Sequence, residues 1–195
     1  MASPLLDALD VRTVIADPGV TVPSTFPVVD AGVPVVYARP SPGPAVVVPA
    51  ARPVTLDGAW TAVADPGWDP SATAAVVGLR HPVAGGPGTV TGGPRGTDGE
   101  RWLVNAPSGG FLRVSGNWDP GWAATIDGHA VPVLRADAIF RGVVVAAGHH
   151  RVELSYRNPG EHQGRLVAGA GVVLLLGLLM AGRRRGQAWS PPVRR

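Results

Sequence analysis

The chain has 195 residues, 45% of them apolar, with 27 glycines, 21 prolines and no cysteine. That composition excludes a disulfide framework, a thiolate nucleophile and a zinc–cysteine site. The formal charge of +3 is unevenly shared, with −3 on residues 1–164 and +6 on residues 165–195, so the basic excess belongs to one end and a nucleic-acid-binding domain is excluded.

From the N-terminus, Ser3 as N-cap, Pro4 in the first helical position and Leu5, Leu6 and Leu9 predict a short amphipathic helix. These first residues lack the charged and apolar regions of a secretory leader. The β-branched run 11–16 reads as a strand ended by Asp17-Pro18-Gly19. Residues 33–39 and 45–49 are two further strand candidates around a proline-rich turn, and 57–64 holds one or two turns of helix. Residues 73–78 again predict a strand. The segment 85–99 contains seven glycines and two prolines and reads as a flexible loop.

The following part is more legible. Residues 101–106 and 110–115 alternate as strands, and Trp118-Asp119-Pro120-Gly121-Trp122 has the proline and glycine of a tight turn. Residues 122–126 and 129–134 form a hairpin around Asp127-Gly128, a pair suited to a type I′ turn. A strand at 142–146 turns at Ala147-Gly148 into 151–157, where Val152, Leu154 and Tyr156 face one side and Arg151, Glu153, Ser155 and Arg157 the other. Short strands punctuated by turns predict a mainly β fold, a β-sandwich or jelly roll, over residues 1–164.

Residues 166–182 form an uncharged apolar run, preceded by Arg165 and closed by Arg183, Arg184 and Arg185. As a helix it would rise about 25 Å against a hydrocarbon core of about 30 Å, and helix is the one structure a single segment can adopt in lipid. The expected organisation is an extracytoplasmic β domain over 1–164, a transmembrane helix over 165–182 and a basic cytoplasmic tail over 183–195, oriented by the arginine cluster. Membrane lipid is the expected partner. Gly177 and Ala181 are spaced for packing against other transmembrane helices. Because a domain ahead of its only membrane helix must still be exported, those helices are expected upstream, in a longer polytopic protein.

The stretch 117–160 resembles the C-terminal end of bacterial YfhO-type membrane proteins. The resemblance rests on Trp118, Pro120, Gly121 and Trp122 at the turn and Asp127 and Gly128 at the hairpin. It continues through Pro132, Val133, Arg135, Ala136, Phe140 and Arg141 to Gly148, His150, Val152, Glu153 and Tyr156. The segments LLDALDVRTVIA and PVVYARPSPGPAVVV are loosely similar to two earlier family stretches, with Asp10 standing where the family has glycine. The resemblance implies a polytopic protein built like the polyprenyl-phosphate-sugar glycosyltransferases that decorate envelope polymers. The catalytic acid of such a protein is expected between early helices, so none is carried onto this sequence. The role implied for the chain is accessory, binding or positioning glycan or acceptor polymer. The alternatives are a free-standing membrane-anchored carbohydrate-binding or adhesion module, or a truncated non-functional remnant.

The residues themselves carry little catalytic chemistry. Asp119, Asp127 and Asp137 each have a turn role, and Glu153 is expected to pair with a cross-strand arginine such as Arg135 or Arg141. His149 and His150 point to opposite strand faces and lack further ligands at metal spacing. Neither a phosphate-cradling loop nor a nucleophile elbow occurs, and no cofactor is implied. The candidate glycan-binding residues are Trp118 and Trp122 with Asp119 between them, because exposed indoles stack on sugar faces. For Trp122 the competing and favoured reading is core packing with Phe140 and Tyr156. For Trp118 the two readings stand level.

Overall fold

The computed structural model describes residues 8–17, 20–22, 24–32, 34–38, 43–160, 168–172 and 174–176. Two compact units divide at Tyr156 and Arg157. The first is mainly β. Three short strands, β1 (Thr13–Ala16), β2 (Val28–Asp30) and β3 (Val35–Ala38), make a small antiparallel sheet in the order β1-β3-β2. The helix expected over 3–9 lies largely outside the described residues. Ala8 is helical and fully buried, and its carbonyl accepts the Ser115 hydroxyl at 2.7 Å. Asp10 takes a left-handed φ of 55°, a conformation that glycine adopts freely and that aspartate tolerates.

Beyond it come β4 (Ala45–Val48), β5 (Ala50–Val54), α1 (Leu56–Ala64), β6 (Thr73–Val77) and β7 (Val83–Ala84). There follow β8 (Thr89–Pro94), β9 (Gly99–Ala106), β10 (Gly110–Asn117), β11 (Trp122–Ile126) and β12 (His129–Val131). The unit ends with β13 (Leu134–Ala136), β14 (Phe140–Val145) and β15 (Gly148–Tyr156). A seven-stranded sheet runs β4-β10-β14-β13-β6-β5-β7 and a five-stranded sheet runs β12-β11-β15-β9-β8. Val47, Leu112 and Val143 of the first sheet share one buried cluster with Trp102, Val104, Val152 and Leu154 of the second. The two inner faces thus close on a common core. Burying each large side chain there contributes about 1.5–3 kcal/mol.

The other face of the seven-stranded sheet holds a second cluster that includes Val48, Trp68, Val76, Phe111 and Phe140. β5 and β6 are parallel, Ala50 opposite Thr73 and Val54 opposite Val77, and parallel neighbours require a crossover. α1 supplies it. Its N-cap Thr55 accepts the Gly58 amide at 3.1 Å, and Ala59 and Ala62 bury against Ala75 and Ala138. The helix is longer than the one or two turns read from 57–64, and its parallel pair departs from a purely antiparallel sandwich.

Two other expectations are corrected. Residues 85–99, read as a flexible loop, contain β8, which pairs with β9 from Thr89–Asn105 to Pro94–Glu100. A side chain at Gly88 or Gly92 would collide with the β9 backbone, at Asn105 and Arg101 respectively, so these glycines permit close approach rather than mobility. The strand expected over 129–134 is two strands. β12 pairs with β11 in the five-stranded sheet, and β13 pairs with β14 in the other. Pro132 between them has no N–H for a ladder and ends the pairing, so the chain changes sheet at this point.

On β10 the alternation is strict: Leu112 and Val114 enter the shared core while Phe111 and Arg113 face the other way. Arg113 is 1% exposed. Its guanidinium donates to the Pro70 carbonyl at 2.7 Å and to Asp137 Oδ2 at 3.1 Å. Asp137 Oδ1 accepts the Ala75 amide at 2.8 Å, and its own amide donates to the Ala75 carbonyl at 2.8 Å. Desolvation pushes the Asp137 carboxyl up, opposed by the Ala75 amide and Arg113.

In the second unit the described residues 168–172 and 174–176 are helical with exposed side chains, among them Val172 at 57% and Leu174 at 67%. Among the described residues no helix is long and apolar enough to cross a membrane. The greater part of the run 166–182, Arg165, Arg183, Arg184, Arg185 and the tail lie outside them.

Two stability predictions follow from this packing. Asp137→Ala leaves a buried guanidinium uncompensated and should cost about 3–5 kcal/mol in urea unfolding. Gly142→Ala places a methyl against the Leu112 carbonyl and the Phe111 ring and should cost about 1–3 kcal/mol.

Candidate functional site

The turn carrying the expected site residues forms as the sequence predicts. Asp119 Oδ1 accepts the Gly121 amide at 2.7 Å and the Asp119 carbonyl accepts the Trp122 amide at 3.2 Å. Trp122, half-buried, is tilted 53° against Tyr156 with ring centroids 5.3 Å apart, and the Arg141 guanidinium lies 3.8 Å above its ring centre. Arg141 also donates to the Asn117 carbonyl at 2.9 Å and pairs with Glu100. Glu100 Oε2 in turn accepts the Trp102 indole at 3.1 Å. Gly116 makes room for this guanidinium, since a methyl there would overlap it. Trp122 is therefore held in a packed cluster at one end of the shared core.

Trp118 is also half-buried. Its indole donates to the Val133 carbonyl at 3.4 Å, and the Arg135 guanidinium sits 5.6 Å from the ring centroid. Asp119 lies near Tyr156, whose phenol is pushed up by desolvation and by that carboxylate.

A further assembly of hydrogen-bonding side chains lies on the outer face of the five-stranded sheet. Register puts Glu153 opposite Arg101 on β9 and Thr125 on β11. Glu153 Oε1 accepts from Arg101 Nε at 2.7 Å and from Arg151 Nη2 at 2.6 Å. These two cations hold its carboxyl below the usual range, Arg151 contributing more. Pairing with Arg135 or Arg141 is thus corrected: β13 and β14 belong to the other sheet, so neither is its cross-strand neighbour.

At the β11–β12 hairpin, Asp127 (φ 52°) and Gly128 (φ 84°) have the two positive φ angles of a type I′ turn. Asp127 does more than turn the chain. Its Oδ1 accepts the Arg151 amide at 2.8 Å and its Oδ2 meets His150 Nδ1 at 2.7 Å, contacts that lower its pKa, the backbone bond most. An ionised Asp127 only accepts, so Nδ1 carries the hydrogen, and the buried His150 Nε2 has no partner. His149 is exposed, and among the described residues no three metal-binding side chains cluster.

Two clefts open on this outer face. One, of about 320 Å³, is lined by Arg95, Glu100, Arg101, Thr125, Glu153 and Ser155 among others. The second, of about 470 Å³, takes in Thr89, Thr91, Asn105, Asp127, His150 and Arg151. In the first, two arginines balance two glutamates; in the second, Arg151 balances Asp127. No tryptophan, tyrosine or phenylalanine ring lines either cleft.

Residues 104–168 match the family model of the bacterial membrane protein YfhO. This segment is a YfhO-family region. It begins within β9 and contains all of β10 to β15, so the Arg113–Asp137 pair, the Trp118–Trp122 turn, Asp127, His150 and Glu153 all fall within the YfhO region. No curated protein and no solved structure matches the chain. Reading residues one at a time missed the outer-face assembly because Arg101 and Glu153 are 52 positions apart. The usable signal was the run Arg151, Glu153, Ser155 on one strand face.

The pH dependence has a definite sign. Asp127 and Glu153 have folded pKa values below their ordinary 3.8 and 4.5, so their stabilisation is complete above those values and is lost as pH falls through the lower folded ones. The melting temperature should drop on acidification below about pH 4.5, and more shallowly in Glu153→Gln. An identical acid limb in that variant would remove the outer-face ion pairs as its cause.

Proposed function

We propose that the chain is the accessory, extracytoplasmic β part of a YfhO-type envelope-glycosylation protein, anchored by the apolar run near its end. In this role it positions glycan or acceptor polymer. The observation that carries the reading is the YfhO region itself, which runs through the last six strands and on to residue 168, where the apolar run has begun. The described part of that run supports it further: helical residues with Val172, Leu174, Leu175 and Leu176 at least half exposed suit an apolar surround better than water. In this reading Arg183, Arg184 and Arg185 hold the run's far end at the cytoplasmic face.

In this reading the chain's role is accessory. The carboxylates on the outer sheet face are engaged: Glu153 between two arginines, Asp127 between a backbone amide and His150. Such groups bind and orient rather than protonate a leaving oxygen.

Alkaline carbonate extraction of membranes from cells making the full chain tests the anchor. The chain should stay in the pellet, a variant ending at residue 164 should leave it, and protease added outside should cut the β unit. Release of the full chain by carbonate, or a β unit protected from external protease, would contradict the proposal.

A further inference from the structure

We infer that the outer face of the five-stranded sheet binds an extended, uncharged oligosaccharide lying across both clefts and held by hydrogen bonds rather than by aromatic stacking. This rests on the glycan-positioning reading above and adds a place and a ligand class to it. The occupant follows from the charge pattern. Each cleft carries as many cations as carboxylates, so a polyanion would meet Glu153 and Asp127, and a polycation Arg101 and Arg151. A sugar hydroxyl both donates and accepts, and so satisfies a guanidinium and a carboxylate standing side by side.

Thr89, Thr91, Thr125, Ser155 and Asn105 add groups of the same two-way kind. The ligand must also be long. The clefts are joined along β15, with Ser155 in one and His149 in the other, and six residues of strand span about 20 Å, well beyond one sugar ring. The Arg151–Glu153–Arg101 ion pairs lie between, each at or below 3.0 Å, a rung that a bound chain crosses.

The test is calorimetric titration of the full chain in detergent micelles with cello- and chito-oligosaccharides from monosaccharide to hexasaccharide, with heparin as the polyanion. Affinity for one of the neutral series should climb at least about tenfold with length, the gain of a second linked subsite, and should change little with salt. Glu153→Gln, which uncovers two arginines, should weaken the neutral hexasaccharide about tenfold and gain heparin binding. Asn105→Ala, in the other cleft, should flatten the length dependence while leaving the melting temperature unchanged. Neutral sugars that bind with no dependence on length would overturn the two-cleft inference and leave the glycan reading standing. Preference of the unaltered chain for heparin would overturn the uncharged ligand class. Failure of every saccharide and of heparin to bind would remove the glycan-positioning reading along with it.

Discussion

The arginine inside the fold constrains everything around it. Arg113 occupies a buried β10 position on the same face as Phe111, with Phe140 5.7 Å from its guanidinium carbon. A guanidinium does not shed its charge to suit an apolar site. The chain must therefore bring a carboxylate and further acceptors to it, and it does so from distant segments: Asp137 from the β13–β14 connection and Pro70 from the approach to β6. The requirement reaches the backbone. Asp137 and Ala138 take left-handed φ angles of 48° and 67°, which non-glycine residues hold only when their surroundings over-determine them. Here the two-way pairing of Asp137 with Ala75 does so, and the parallel β5–α1–β6 element is thereby locked to β10 in register.

A second charge pair divides labour with the first. Arg141 lies on the inner face of β14, opposite Val114 in register, and reaches the five-stranded sheet through Glu100 and the Trp122 ring. One buried arginine therefore fastens the crossover helix side, and the other fastens the two sheets at one end. Both ends of the architecture depend on side chains satisfied by geometry rather than by water. The outer face of the five-stranded sheet is relieved of structural duty, apart from ion pairs that solvent partly screens.

The sequence disclosed the antiparallel part well and the rest poorly, for physical reasons. Residues 148–156 alternate cleanly because one face meets the core and one meets solvent, which is the condition for a period-two pattern. β6, buried on both faces at Ala74, Ala75 and Val76, has no such period, so its parallel partner could not be inferred. β8 was hidden by its glycines: they mark loops in composition but here serve close contact with β9. Pro132 was visible as a ladder breaker, yet only the structure shows that the chain changes sheet there. The turn role of Asp127 was legible from Asp-Gly. Its bonds to His150 and Arg151 were not, because they depend on which strand lies beside the hairpin.

The fate of the tryptophans decides how such a domain could hold a sugar. Indole platforms work when a flat face is open to the ligand. Trp122 has Arg141 over its ring, Trp118 has Arg135 beside it, and Trp102 is 3% exposed within the core. Stacking by these three rings is thus consumed by the fold, Trp60 standing 49% exposed on α1, and the outer face of the five-stranded sheet presents hydroxyl, amide, guanidinium and carboxylate groups around the exposed Leu103. Hydrogen bonds exchanged with water contribute little each, about 0.5–1.5 kcal/mol net, so a recognition surface without indole platforms needs many of them in a row. A face some 20 Å long along β15, crossed by paired charges and flanked by threonines, is the form that such a requirement takes. Such a face suits a polymer held by its length, as the glycan-positioning role proposed above requires.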